Sequence, residues 1–159
     1  MLTIEVNYNQ VFPSHKDITL LFDELDLHQI ADTYWFVIDN FYLPTEETFY
    51  KALQIICYLL EQWYQTIDTI NQHQTEYLLF DVSDQYAGCF RVHKQDSNIE
   101  VTYGYCPEHG GVSPFIFKSS LITETGFKPT SKTIQVPSYW LLQEIERERK
   151  KITRKLNIH

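Results

Sequence analysis

Between residues 45 and 70 the apolar side chains Phe49, Leu53, Ile56, Leu60, Trp63, Ile67 and Ile70 recur in alternating steps of four and three. That spacing holds one stripe toward a core over about seven helical turns, and no strand can use it, because successive strand residues face opposite sides. A long central helix with one buried face is therefore the element around which the chain must fold. Thr45 is placed to accept from the first-turn amides, and Glu46 and Glu47 lie against the positive end of the helix dipole.

What covers that stripe is predicted to be mostly antiparallel sheet. In residues 90–103 a turn at Asp96-Ser97 sets Phe90 against Tyr103, Val92 against Val101 and Lys94 against Ile99. The same turn leaves Arg91 opposite Thr102 and His93 opposite Glu100, so one face is apolar and the other polar. A second turn at Asp84-Gln85 predicts Leu79 opposite Phe90 and Tyr77 opposite Val92, with Leu78 and Phe80 pointing the other way. Residues 76–82 then form a strand buried on both sides, expected at the centre of the meander.

The remaining elements are shorter. Leu2, Ile4 and Val6 alternate with Thr3 and Glu5, as in a half-buried edge strand. Residues 17–25 place Ile18, Leu21, Phe22 and Leu25 at helical spacing, with Ser14 or Asp17 as cap, which predicts a short N-terminal helix. Residues 33–43 are aromatic and β-branched and stop at Pro44, as a buried strand would, with Asp39 near its end. Residues 107–114 read as a loop, and 115–118 and 132–136 as further strands. From Ser138 a C-terminal amphipathic helix turns Leu141, Leu142, Ile145, Ile152 and Leu156 inward and its charged residues, Glu144 and Glu148 among them, largely outward. No repeat or linker divides the chain, so residues 1–159 are expected to form a single α+β domain.

Composition fits that expectation: 159 residues with 43% hydrophobic and 15% aromatic side chains can bury a sizeable core. The start lacks a basic segment followed by an apolar one, and no stretch approaches the roughly 18 apolar residues of a membrane span, which predicts a cytoplasmic protein. Cys57, Cys89 and Cys106 are an odd number without framework spacing, as in thiols kept reduced in a cytosol.

Motifs of catalysis and ligation are weak. Cys89, His93, Cys106 and His109 have a zinc-like spacing, but the inferred hairpin puts His93 six residues along the strand from Cys106, roughly 20 Å at ~3.3 Å per residue. Two small thiols and two surface histidines are the simpler account. His109-Gly110-Gly111 resembles an oxyanion loop without any G-x-S-x-G elbow, and neither glycine-rich phosphate motif occurs. Asp39 and Asp81, both near predicted strand ends, would make an acid–base pair only if burial raised one pKa, and nothing else supports catalysis. We therefore expect no enzyme, no metal and no cofactor.

Charge is the clearer signal. The first ninety residues carry Lys16 and Lys51 against fourteen carboxylates, whereas the rest carry eleven basic against seven acidic residues. A net charge of -8 thus conceals an acidic half that attracts cationic partners and repels nucleic acid and anionic membranes. Asp23, Glu24, Asp26, Asp32, Asp39, Tyr42, Glu46 and Glu47 are the candidate partner-binding residues, with Tyr34, Trp35 and Phe41 interleaved. Carboxylates that speed encounter around aromatic anchors suit a basic protein counterpart. An ordinary solvated face is the plainer alternative. The basic run 147–155 contains interspersed glutamates, which favours a salt-laced helix, or a homodimer contact with a second copy, over a nucleic-acid helix.

In length, acidity, aromatic content, element order and the tyrosine-rich meander Asp84-Gln-Tyr-Ala-Gly-Cys-Phe-Arg-Val with Glu100-Val-Thr-Tyr-Gly-Tyr, the chain resembles the small acidic immunity proteins that bacteria encode beside polymorphic toxins. These include proteins of contact-dependent inhibition and type VI secretion systems. The resemblance implies a cytoplasmic inhibitor that binds one cognate, basic toxin, often a nuclease. Three other readings compete: a phage nucleic-acid mimic, a ligand-binding protein or enzyme with a pocket lined by Trp35, Trp63 and Trp140, and a self-assembling subunit.

Overall fold

The computed structural model describes residues 1–7, 18–32, 49–113 and 117–157. The fold is α+β with antiparallel sheets. A first sheet has the order β1 (Leu2–Val6), β2 (Ile18–Phe22), β3 (Leu27–Ala31). A second is built on β4 (Thr75–Val82), β5 (Ala87–Gln95) and β6 (Asn98–Cys106). Two short strands, β7 (Lys128–Pro129) and β8 (Ile134–Pro137), share the outer edge of β6. Helices α1 (Phe49–Thr69) and α2 (Ser138–Leu156) pack against each other. One contiguous core takes side chains from both sheets and both helices, from Leu2 to Ile152.

The predicted stripe is the buried face of α1: Leu53, Ile56, Leu60, Trp63 and Ile67 are all in the core. Ala52, Ile55 and Leu59 are buried beside them, because α1 meets a sheet and a second helix at once. It is therefore one of a pair of helices and not a lone central one. Its predicted first turn, with Thr45, Glu46 and Glu47, lies outside the described residues, as does the expected strand 33–43.

The predicted N-terminal helix is instead strand β2 followed by a single 3-10 turn, Asp23–Leu25. Ile18, Leu20 and Phe22 are buried with period two. The run Ile-Thr-Leu-Leu-Phe satisfies helical and strand periods alike, and pairing with β1 (Leu2 with Phe22, Ile4 with Leu20) decides between them. Asp26, at φ 54, reverses the chain into β3.

The β5–β6 register is the predicted one, from Gln95 opposite Asn98 through Phe90 opposite Tyr103, with Asp96 at φ 54 in the turn. The β4–β5 register differs. Leu78, not Leu79, faces Phe90, and Tyr77 faces Arg91. Near the turn the expected pairing holds, with Asp81 opposite Gly88 and Val82 opposite Ala87, so the register shifts at Phe80 through a β-bulge. Leu78 and Phe80 join the main core, while Tyr77 and Leu79 lie on the far face. Strand β4 is buried on both faces as expected, but among the described strands it pairs with β5 alone. The far face is covered by Val112, Phe117, Ile122 and Phe127. Phe117 and Lys118, expected in a strand, form coil leading into a 3-10 turn whose Ser119 hydroxyl accepts from the Tyr77 amide at 2.7 Å.

Helix α2 corrects the sequence reading most usefully. Glu144 and Glu148 face inward, onto the edge of β1, and only 3% of Glu148 is exposed. Glu144 Oε2 accepts from the Leu2 amide at 2.7 Å and Glu148 Oε2 from the Ile4 amide at 2.9 Å. Arg147 donates to the Leu2 carbonyl at 2.5 Å and Lys151 to the Ile4 carbonyl at 3.1 Å. Four side chains on one helical face thus satisfy in alternation the N–H and C=O groups that β1 turns away from β2. Arg147 also pairs with Glu144, and Lys151 with Glu148 at 2.8 Å.

Removing one member should leave buried charges and edge groups without partners. Glu148→Ala is expected to lower stability by roughly 3 kcal/mol, whereas Lys150→Ala, which loses only an exposed pair with Glu146, should stay within about 0.5 kcal/mol. Urea unfolding of the two variants checks this, and equal effects would contradict the clamp.

Candidate functional site

The β-bulge at Phe80 has a local consequence. It turns Asp81, in place of Val82, onto the same face as Phe90, Tyr103 and Tyr105. The bulge also interrupts the strand ladder, and the Leu79 carbonyl accepts from the Trp63 indole at 2.8 Å. Opposite Asp81 stands Gly88, and a methyl group there would come within 2.5 Å of the Tyr103 hydroxyl and 2.9 Å of the Asp81 Cβ. Glycine at this position is what lets a tyrosine hydroxyl approach a carboxylate in mid-sheet.

Around Asp81 the polar contacts are short and directed. Gln29 Nε2 on β3 donates to Asp81 Oδ2 at 3.0 Å, and Tyr86 Oη donates to the same oxygen at 3.1 Å. Tyr105 Oη donates to Gln29 Oε1 at 3.0 Å, so the glutamine bridges the two sheets. Tyr86 is held by the turn before it, where Ser83 Oγ accepts from the amides of Gln85 and Tyr86, each at 3.1 Å. Rings continue the arrangement inward in edge-to-face contacts: Tyr86 to Tyr105 at 4.7 Å, Tyr105 to Tyr103 at 5.6 Å, Tyr103 to Phe90 at 5.0 Å and Phe90 to Trp63 at 5.4 Å. The ladder begins in the core and ends on half-buried Tyr86 and Tyr105.

Burial dominates the electrostatics. It pushes the Asp81 carboxyl up to about 6, against the opposing hydrogen bonds from Tyr86 and Gln29, and the charge of Asp32 acts in the same upward direction. Burial and the Asp81 charge together push Tyr86 up to about 12. The Tyr103 hydroxyl, also pushed up by burial, is enclosed without a hydrogen-bond partner. At neutral pH, above the Asp81 value of about 6, the carboxylate is mostly ionised, and its two donors among the described residues both serve Oδ2. A cation approaching the half-exposed rings of Tyr86 and Tyr105 would meet that charge and two aromatic faces.

Comparison with protein-family models, curated proteins and solved structures finds no match. The site is therefore read from its chemistry. Among the described residues no group of three or more His, Cys, Asp or Glu is arranged to hold a metal. His93 Nδ1 lies 2.9 Å from Thr75 Oγ1, at the opposite end of the hairpin from Cys106.

The predicted partner-binding residues are distributed over two ends of β3. Asp23, Glu24 and Asp26 form the β2–β3 turn, where the Met1 amino group pairs with Glu24 and lies 3.6 Å from Asp23. Asp32 follows the far end of β3, roughly 16 Å along the strand at ~3.3 Å per residue, within electrostatic reach of Asp81. Asp39, Tyr42, Glu46 and Glu47 lie outside the described residues. Sequence reasoning missed Gln29, Tyr86 and Tyr105. Gly88, a lone glycine in a strand just past the Asp84-Gln85 turn, is the signal that marks them.

The tryptophans do not build a ligand chamber among the described residues. Trp63 is buried, and Trp140 stacks on Phe22 with ring centres 6.2 Å apart. The space left between Trp63, Phe22 and Phe90 is about 10 Å³, the limit for one water. Trp35 lies outside the described residues. A larger open groove of about 490 Å³ runs along the outer face of α2, past Tyr64, Tyr139, Leu142 and Lys150.

The raised Asp81 pKa makes stability depend on pH with a definite sign. Between 3.8 and about 6 the native state holds a proton that the unfolded chain has released. This group's contribution therefore declines as pH rises through that window and is level above it. The span is on the order of 2–3 kcal/mol. Asp81→Asn keeps an acceptor for Gln29 and Tyr86, so it should remove the slope and raise stability at neutral pH by on the order of 2 kcal/mol. Chemical denaturation of both proteins from pH 4 to 8 tests it, with destabilisation by the amide as the contrary result.

Proposed function

We propose that this protein is an inhibitor that binds a basic protein partner, in the manner of an immunity protein neutralising its cognate toxin in the cytoplasm. The observation that carries the reading is the Asp81 carboxylate: ionised at neutral pH, buried at a cost to the free protein, and framed by two half-exposed tyrosines beside Asp32. A residue kept at such a cost suits a partner that relieves it. An arginine or lysine supplied by the partner would compensate the charge and stack on Tyr86 or Tyr105, a geometry typical of binding hot spots.

The acidic half supports the same reading at longer range. Asp23, Glu24 and Asp26 present a cluster of carboxylates at the β2–β3 turn, with the Met1 amino group beside Asp23 and Glu24. Carboxylates at a surface turn steer a cationic partner and repel nucleic acid and anionic lipid. No described helix is long and apolar enough to cross a membrane.

The test is a capture experiment with three baits: the unaltered protein, Asp81→Asn, and a triple charge reversal of Asp23, Glu24 and Asp26 to lysine. The unaltered protein should retain a basic protein at low salt, release it along a salt gradient and suppress its toxic activity. Asp81→Asn should bind it at least about tenfold more weakly while remaining well folded. Charge reversal should slow association and flatten its salt dependence with less effect on dissociation. Identical binding by all three baits would sink the reading, and a captured nucleic-acid-binding protein displaced by DNA or RNA would favour mimicry.

A further inference from the structure

Directly behind the Asp81 site, on the far face of the second sheet, are two buried cysteines. Cys89 on β5 and Cys106 on β6 are 0% and 1% exposed, and their sulfurs are 3.7 Å apart. They are diagonal neighbours across the strand pair, since Ala87 faces Cys106 and Cys89 faces Gly104. Ile122 and Phe127 cover them, with Phe117 packed alongside. The Tyr77 hydroxyl lies in the same cluster, buried, without a hydrogen-bond partner, and near enough for its ionisation to feel both sulfurs.

We propose that Cys89 and Cys106 form a redox modification site that a hydroperoxide converts reversibly into an intramolecular disulfide. Their mutual hydrogen bond lets one sulfur carry a thiolate while the other keeps its proton, and we assign Cys106, the last residue of β6, as the nucleophile because it lies at the strand end. The Cys106 thiolate attacks the peroxide oxygen, the O–O bond breaks, and the departing alkoxide or hydroxide takes a proton to give alcohol or water. The Cys106 sulfenic acid is then attacked by the Cys89 sulfur and a second water leaves, carrying the Cys89 proton. Two thiols are oxidised and one hydroperoxide is reduced.

Reversibility follows from the diagonal placement. Diagonal strand neighbours sit ~7–8 Å apart at Cα, beyond the ~4.4–6.8 Å that a disulfide usually spans. Closure from sulfurs 3.7 Å apart at that spacing would leave the bond strained, and a strained bond is the more easily reduced. Cys57, half-buried on α1 with its sulfur 3.6 Å from the Thr153 hydroxyl of α2, has no cysteine beside it.

The experiment exposes the native protein to hydrogen peroxide, quenches with acid, alkylates under denaturing conditions and measures intact mass and a peptide map. Alkylatable thiols should fall from three to one, with a mass loss of about 2 Da and a cross-linked pair containing Cys89 and Cys106, all restored by excess glutathione. Cys57→Ser should leave this cross-link unchanged and Cys89→Ala should abolish it. Should Cys89→Ala fail to fold, the peptide map of the unaltered chain decides. Three thiols surviving the oxidant, a cross-link through Cys57, or sulfinic acid in place of the disulfide would each overturn the proposal.

Discussion

Everything in this fold depends on how the first strand is finished. An edge strand presents alternate backbone donors and acceptors that must find partners, and the usual remedy is another strand or solvent. Here the partner is a helix more than 140 residues away in sequence. Glu144, Arg147, Glu148 and Lys151 follow one helical face at spacings of three and four, while Leu2 and Ile4 follow the strand period of two. Acceptor and donor side chains therefore meet donor and acceptor backbone groups in order. Each charge is also neutralised within the row, which limits the desolvation penalty of a buried carboxylate.

That clamp fixes more than one edge. With β1 tied to α2 and β2 and β3 following in hairpin register, the inner face of β3 is held against the end of the second sheet. Gln29 can then bridge Asp81 and Tyr105. On the other side of the same bridge, the bulge at Phe80 swings Asp81 to meet it, and Trp63 takes up the carbonyl of the preceding residue. Two devices far apart in the chain are thus needed to place one carboxylate. Loss of either would leave Asp81 exposed to water or without its donors.

The legible parts of the sequence were those where one period had no rival. The stripe of α1 fits no strand, and the two-residue turn at Asp96 fixes the β5–β6 register for its whole length. Strand β2 is not legible from its own residues because all five fit both periods, and pairing with β1 selects one. Residues 77–82 carry a single polar side chain, so nothing in their alternation marks an inserted residue, and the bulge passed unseen. Glu144 and Glu148 were assigned to solvent because charge is ordinarily a surface signal. Their partners are backbone groups, which leave no trace in composition. The candidate site is scarcely legible for the same reason: Asp81 enters the sequence reading only as half of an unsupported acid–base pair with Asp39, and Gln29, Tyr86 and Tyr105 acquire meaning only from the bridge between sheets.

The clamp also changes what the charge asymmetry means. Much of the positive charge of the C-terminal half is consumed internally: Arg147 and Lys151 on the edge of β1, and Arg149 on Glu61 and Glu146 at 2.6 and 2.7 Å. A group engaged at close range with a carboxylate contributes little field at a distance, since the pair acts as a dipole. The acidic turn at Asp23–Asp26 is less compensated, and Asp32 adds its charge beside Asp81. These pairs remove charge of both signs, so the acidic groups that remain stand at two places, the Asp23–Asp26 turn at one end of β3 and Asp32, beside Asp81 and its two tyrosines, at the other. Under the proposed inhibitor reading, steering at the turn and anchoring at Asp81 would ask for the same partner chemistry, a cationic side chain that must give up water to enter.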